Sequence, residues 1–306
     1  MMKRLLPLMQ REWLQHRFGW SLVFLIPLGL GLLMTAFGSI EIGPDAVEHA
    51  GDRLPVIVAL ATVAATMAML FLTAWISSLI TVSGIARRDH GDRSIEFWLS
   101  LPASHSESLA APLIVHLLLV PMAAVALGLL GGWLVSLVVV TRVVGFGAWL
   151  ALPWPQLVVA TLSLTARFIA GVPLATLWLL PLLMPVVLLS AWFRRWAWVI
   201  LAVGVGLGSQ LLQHVFGQPL PAQLLGSLLK HASHALFASP KGLGVSVEGG
   251  HELGDRLAAL PFFVLHDFGL ALADLASPLM LGGLLFAAGC FALLVQWRQR
   301  GAGLAG

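Results

Sequence analysis

Apolar residues in this chain gather in long, nearly unbroken runs, and the polar residues collect between them. A helix that crosses a bilayer needs about 20 mostly apolar residues, because hydrocarbon offers no partner to unpaired backbone groups. Six runs meet that requirement, at roughly 19–39, 56–85, 112–140, 171–193, 196–213 and 277–296. The second and third are longer than a span needs, so they are expected to tilt or to project past the bilayer. Pro181 and Pro185 are expected to kink the fourth. The expected fold class is therefore an all-α integral membrane protein with six transmembrane helices, the whole chain (1–306) forming one transmembrane domain.

The segments between the runs carry patterns of their own. Residues 3–18 place Leu5, Leu6, Met9 and Trp13 along one helical face, with Lys3, Arg4, Arg11, Gln15 and Arg17 largely away from it. That pattern predicts an amphipathic helix over 1–18 resting at the membrane interface, with an ordinary basic topology anchor as the plainer alternative. Residues 154–170, with Gln156, Ser163 and Arg167 on one face, predict another interfacial helix. In the segment 214–276, residues 221–237 and 252–274 read as two short helices separated by a Pro/Gly-rich break. They are expected to lie in or dip into the outer leaflet before the last span.

Composition supports this picture. The chain has 306 residues, 59% hydrophobic and 10% charged, with a mean hydropathy of +0.94. Soluble domains carry about 25% charged residues, so a soluble enzyme or nucleic-acid-binding domain is excluded as a starting point. Charge placement then orients the spans. With the N-terminus cytoplasmic, Lys3, Arg4, Arg11, Arg17, Arg87, Arg88, Arg93, Arg194, Arg195, Arg298 and Arg300 fall inside, eleven of the 17 basic residues. Nine of the 14 acidic residues fall outside. Basic clusters beside span ends on the inner side are what orientation rules weigh, so both termini are expected in the cytoplasm. Ala36-Phe37-Gly38 has the form of a signal-cleavage site, but the run before it is too long for a leader, and an uncleaved span is expected.

The connection over 86–111 is the most informative stretch. Asp92 is placed as an N-cap, Ile95, Trp98 and Leu99 share one face of a short helix, and Pro102 ends it. Ser104-His105-Ser106-Glu107 then forms a capping box opening the next helix. A short rigid helix presented to the cytoplasm suits docking on a partner; a solvated loop is the alternative.

The run RRDHGDRSIEFWLSLPASHSESLAA resembles the cytoplasmic loop of ABC-2 type permeases, the membrane subunits of one class of ABC exporters. The amphipathic N-terminal helix, six spans and chain length agree with that family's layout. The resemblance implies a passage formed by two permease copies, or by one copy and a related permease, coupled to separate cytoplasmic P-loop ATPase subunits. It implies that Arg93, Glu96, Phe97, Trp98 and Leu101 contact or brace the ATPase. It also implies export, a bacterial cytoplasmic membrane, and ATP bound by the partner rather than by this chain. The long 214–276 segment departs from a minimal hairpin of the family.

The residues themselves agree that ATP chemistry lies elsewhere. Lys3, Lys230 and Lys241 follow Met2, Leu229 and Pro240, so no Gly-Lys-Ser/Thr phosphate cradle is present. No catalytic residue, cofactor, metal ligand or nucleic-acid partner is expected. His251-Glu252 opens a zinc-protease pattern that Asp255 breaks. The rival reading is a membrane-embedded metal-handling protein or enzyme using the outer-face residues His231, His234, His251, His266 and Asp267. None of the six spans contains Asp or Glu, which argues against an ion-coupled carrier. His116 is the one ionisable group well inside a span, a position that marks functional candidates by default, with a neutral His bonded to a neighbouring helix as the plainer expectation. Gly204 and Gly208 form a small-xxx-small pair in the fifth span, with Gln210 beyond them. They pack within one subunit or, as the resemblance implies, belong to the dimer seam or passage.

Overall fold

The computed structural model describes residues 2–41, 43–91, 104–193, 196–236 and 252–303, and no strand occurs among them. The helices are α1 (Met2–Phe37), α2 (Pro44–Ala50), α3 (Leu54–Gly91), α4 (His105–Ile114), α5 (Val120–Val143), α6 (Phe146–Leu150), α7 (Trp154–Phe193), α8 (Ala197–Phe216), α9 (Leu220–Leu236), α10 (Glu252–Ala273) and α11 (Pro278–Gly303). A π turn, Val115–Leu119, joins α4 to α5. Seven helical stretches are long and apolar enough to cross a membrane, so the chain is built as a multi-pass α-helical membrane protein.

Continuity differs from expectation in two places. The amphipathic segment 3–18 and the first span form one helix, α1, and the interfacial segment 154–170 and the fourth span form another, α7. Apolar faces on both sides of each predicted junction let the helix run through. α7 also continues through Pro173, Pro181 and Pro185. Its 40 residues rise about 60 Å at 1.5 Å per residue, more than the 40–45 Å of a bilayer with its headgroups.

α7 is the axis of the fold. In its most apolar stretch 67% of residues are buried, against 6% for α8 and 11% for α1. Trp178, 1% exposed, lies at the centre of the largest core. α3 runs parallel to α7, with Phe71 on Phe168 at 4.7 Å between ring centroids. The Thr176 hydroxyl donates to the Leu117 carbonyl at 3.1 Å, tying α7 to the π turn.

The extra membrane-length stretch, Leu257–Ala276, lies in α10. Arg167 pairs with Asp267, Gly283 abuts Pro181, and Trp192 faces Trp297 at 5.9 Å. Those pairings advance together along the chain, so α10 and then α11 follow α7 in the same direction, covering successive lengths of it. α9 and α10 occupy the ranges expected for the two short helices. Both pack on α7, and α9 buries Ala232 and Ala235 in the core, so neither rests only on a membrane surface.

α3 and α5 approach each other closely. A Cβ on Gly128 would stand 2.7 Å from Met67 Cα, and one on Gly132 would stand 2.9 Å from Val63 Cα. This four-residue glycine spacing brings backbones together, as small-xxx-small motifs do in membranes. At one end of the bundle Arg142 Nη1 donates to the carbonyls of Thr35 and Gly38, both at 2.8 Å, closing the C-terminus of α1. Trp133, Trp149 and Trp154 cluster beside it, with centroids 4.8–5.9 Å apart.

Candidate functional site

Arg93, Glu96, Phe97, Trp98 and Leu101 lie outside the described residues. The far side of their connection is described. The Ser104 hydroxyl accepts from the Glu107 backbone N–H at 3.2 Å, and a Glu107 carboxylate oxygen accepts from the Ser104 N–H at 3.0 Å. The expected capping box is therefore formed. Glu107 is buried, and Ser108, one residue on, accepts from Arg298 Nη1 of α11 at 3.2 Å. The entry to α4 is thus fixed both by its own cap and by the last helix. Replacing Ser104 with Ala is expected to cost about 1 kcal/mol. Chemical unfolding should show that loss, and Ser104→Thr should recover most of it.

The expected seam residues sit on the outer surface of the chain. Among the described residues, nothing approaches the Cβ position of Gly204 within 4 Å, and Gly208 has only Pro221 Cγ, at 3.7 Å. Gln210 is exposed. The close glycine packing inside the chain is instead at Gly128 and Gly132, whose spacing was equally visible in the sequence.

A cavity of about 230 Å³ opens between α3, α7 and α9. Phe71, Trp75, Val172, Leu179 and Leu236 make it largely apolar, with Thr176 and Ser233 on its wall. His231 stacks on Trp178 at 4.3 Å, its Nδ1 hydrogen-bonded to the Ser227 carbonyl at 2.7 Å. Its ring thereby packs against the core. His266 is exposed and His251 lies outside the described residues.

Beside the cavity, Arg167 and Asp267 form a buried ion pair, each 5% exposed. Arg167 Nε donates to Asp267 Oδ2 at 2.7 Å and Nη1 to the Ala235 carbonyl at 2.8 Å, while Phe268 lies 5.6 Å from the guanidinium carbon. Gly171 makes room for this junction: a Cβ there would meet the Ala235 oxygen at 2.5 Å. Arg167 was expected on the polar face of an interfacial helix and Asp267 in an outer-face metal set. Each finds its partner 100 residues away, which no local pattern reveals.

Glu12 and Asp267, both buried, lie outside the six expected spans but within the membrane-length stretches Leu5–Phe37 and Leu257–Ala276, so buried carboxylates do occur in such helices. His116 is fully buried on the π turn, and among the described residues neither ring nitrogen has a hydrogen-bond partner, so the expected bond to a neighbouring helix is not seen there. The ring instead meets Trp20 and His16 edge-on, at 5.4 and 5.2 Å.

The described fold and these sites define a multi-pass α-helical membrane protein with buried polar junctions between its helices. No protein-family model, curated protein or solved structure matches the chain.

Proposed function

We propose that the chain is the membrane-spanning subunit of an ATP-driven exporter, working in a bacterial cytoplasmic membrane beside a separate P-loop ATPase. The observation that carries this reading is the sequence of the connection between α3 and α4, which resembles the ATPase-coupling loop of ABC-2 type permeases. It leads into the start of α4, which is fixed by its capping box and by Arg298 of α11. A helix start fixed in this way suits the transmission of force from a partner. The sequence holds no Gly-Lys-Ser/Thr phosphate cradle, which supports ATP hydrolysis on a separate partner.

Six crossings with both termini cytoplasmic fit this reading, since α10 and α11 follow α7 in one direction and count as a single descent. The poorly covered face of α8, with Gly204, Gly208 and Gln210, is the proposed meeting surface for a second permease copy.

Arg93→Ala and Glu96→Ala test the proposal in proteoliposomes containing the companion ATPase. Each is expected to lower ATP-driven transport at least tenfold while the subunits still co-purify. Full coupling in both variants would remove the loop from the mechanism.

The buried Glu12 and the Arg167–Asp267 pair favour a second reading, an ion-coupled carrier, because ionisable groups within membrane helices mark ion pathways. Transport driven by an imposed ion gradient in liposomes without any ATPase would select that reading.

A further inference from the structure

We propose that Glu12, His16 and His116 form a transition-metal site, with Zn(II) as its preferred ion, that pins α1 to the α4–α5 junction. Glu12 and His16 are four residues apart on α1 and project from the same face. His116 faces them from the π turn, a wide turn of the kind that re-aims side chains at functional positions. Glu12 Oε2 stands 3.7 Å from His16 Nε2 and 3.7 Å from His116 Nε2. One potential ligand atom from each of the three residues lies within 4.8 Å of the others.

These distances suit an ion better than a direct pair. A charge-assisted N–H···O contact closes to about 2.7–2.9 Å, so 3.7 Å leaves both imidazoles short of the carboxylate. Ligand atoms on a tetrahedral zinc with bonds of about 2.0–2.1 Å stand roughly 3.3 Å apart, a contraction that small side-chain rotations supply. His116 adds an independent observation. Its side chain is completely buried, and among the described residues neither of its nitrogens has a hydrogen-bond partner. Burying an imidazole without a partner is costly, and coordination satisfies a nitrogen without requiring a further protein acceptor.

The donor set selects the ion. Two imidazoles and one carboxylate suit Zn(II), whereas Ca(II) and Mg(II) want oxygen ligands throughout and Cu(I) prefers sulfur. Three protein ligands leave a fourth position for water or an anionic group. The mechanical effect follows from packing. α1 is the least embedded of the long helices except α8, and a metal bridging it to the π turn would add a fixed point to the packing of Met9 and Trp20 around Val115.

The test uses full-length, tag-free protein in detergent micelles, stripped of metal and titrated with Zn(II) against a chromophoric chelator. One Zn(II) per chain is expected, with affinity reduced at least tenfold in Glu12→Gln, His16→Ala and His116→Ala. His214→Ala, at an exposed histidine, should bind as wild type does. Co(II) in place of zinc should give the intense visible absorption of a tetrahedral site, lost in the same three variants. Circular dichroism and gel filtration of Glu12→Gln, a near-isosteric change, separate lost ligation from lost fold. Zinc binding that is equal in wild type and a folded Glu12→Gln/His116→Ala variant would overturn the proposal, as would no binding in wild type. The readout needs neither ATPase nor substrate, so its outcome is independent of the exporter reading.

Discussion

Gly132→Ala and Gly128→Ala are expected to destabilise the protein, although alanine is the better helix former. At an open helical position, Gly→Ala gains up to about 1 kcal/mol in propensity. Gly289, with nothing within 4 Å of its Cβ position, should show that gain. At Gly132 the new methyl meets Val63 Cα at 2.9 Å and its carbonyl oxygen at 3.1 Å, and at Gly128 it meets Met67 Cα at 2.7 Å. Backbone cannot step aside as a side-chain end does, so α3 and α5 must separate and lose contact along their length. The expected cost is about 1–3 kcal/mol per site, reversing the sign set by propensity. Gly131→Ala offers an internal comparison. Its nearest neighbour is the flexible tip of Leu28, at 2.7 Å, and the loss there should be small. The midpoint of SDS-induced unfolding in mixed micelles, followed by helicity, measures all four. A higher midpoint at Gly132→Ala would show that the α3–α5 contact is looser than described.

The largest single loss is expected at Arg167. Arg167→Leu removes the partner of Asp267 and leaves a carboxylate buried between α7 and α10. Breaking a buried pair from one side costs about 3–5 kcal/mol, mostly the penalty of the stranded charge. Removing both charges is a different experiment. In Arg167→Leu/Asp267→Leu no ion stays behind, and stability should return to within about 1–2 kcal/mol of the parent, the remainder reflecting the lost bond to the Ala235 carbonyl. The cycle is read from the same unfolding midpoints. Additive losses in the two single variants and the double variant would mean that the side chains are not coupled.

Features written into neighbouring residues were legible in the sequence. The Ser104–Glu107 capping box is formed as its spacing requires, α8 through α10 begin and end within a few residues of their apolar periodicities, and α11 begins within one residue of its own. Arg167 and Asp267 were seen only as polar marks on separate short helices, because the bond between them spans 100 residues. Glu12 and His16 were lost for a related reason. At the polar end of an amphipathic segment, charged residues read as solvated until His116, over 100 residues later, is brought against them. The π turn has no local signature, being one residue more than an α-helix holds. Gly128 and Gly132 did carry a visible signal, the same four-residue spacing noticed at Gly204 and Gly208.

That additional residue also makes the π turn a test by length. Each α-helical residue advances about 100° around the axis, so one residue deleted from a regular stretch of α5 turns everything beyond it by that angle. Deleting one residue within Val115–Leu119 instead takes out the residue that the wide turn accommodates, ordinary α-helical bonding closes, and α4 keeps its phase against α5. The Ser108 contact with Arg298 should then survive, and only the approach of position 116 to α1 should change. A codon deletion within the π turn should therefore lower the unfolding midpoint far less than one in the middle of α5.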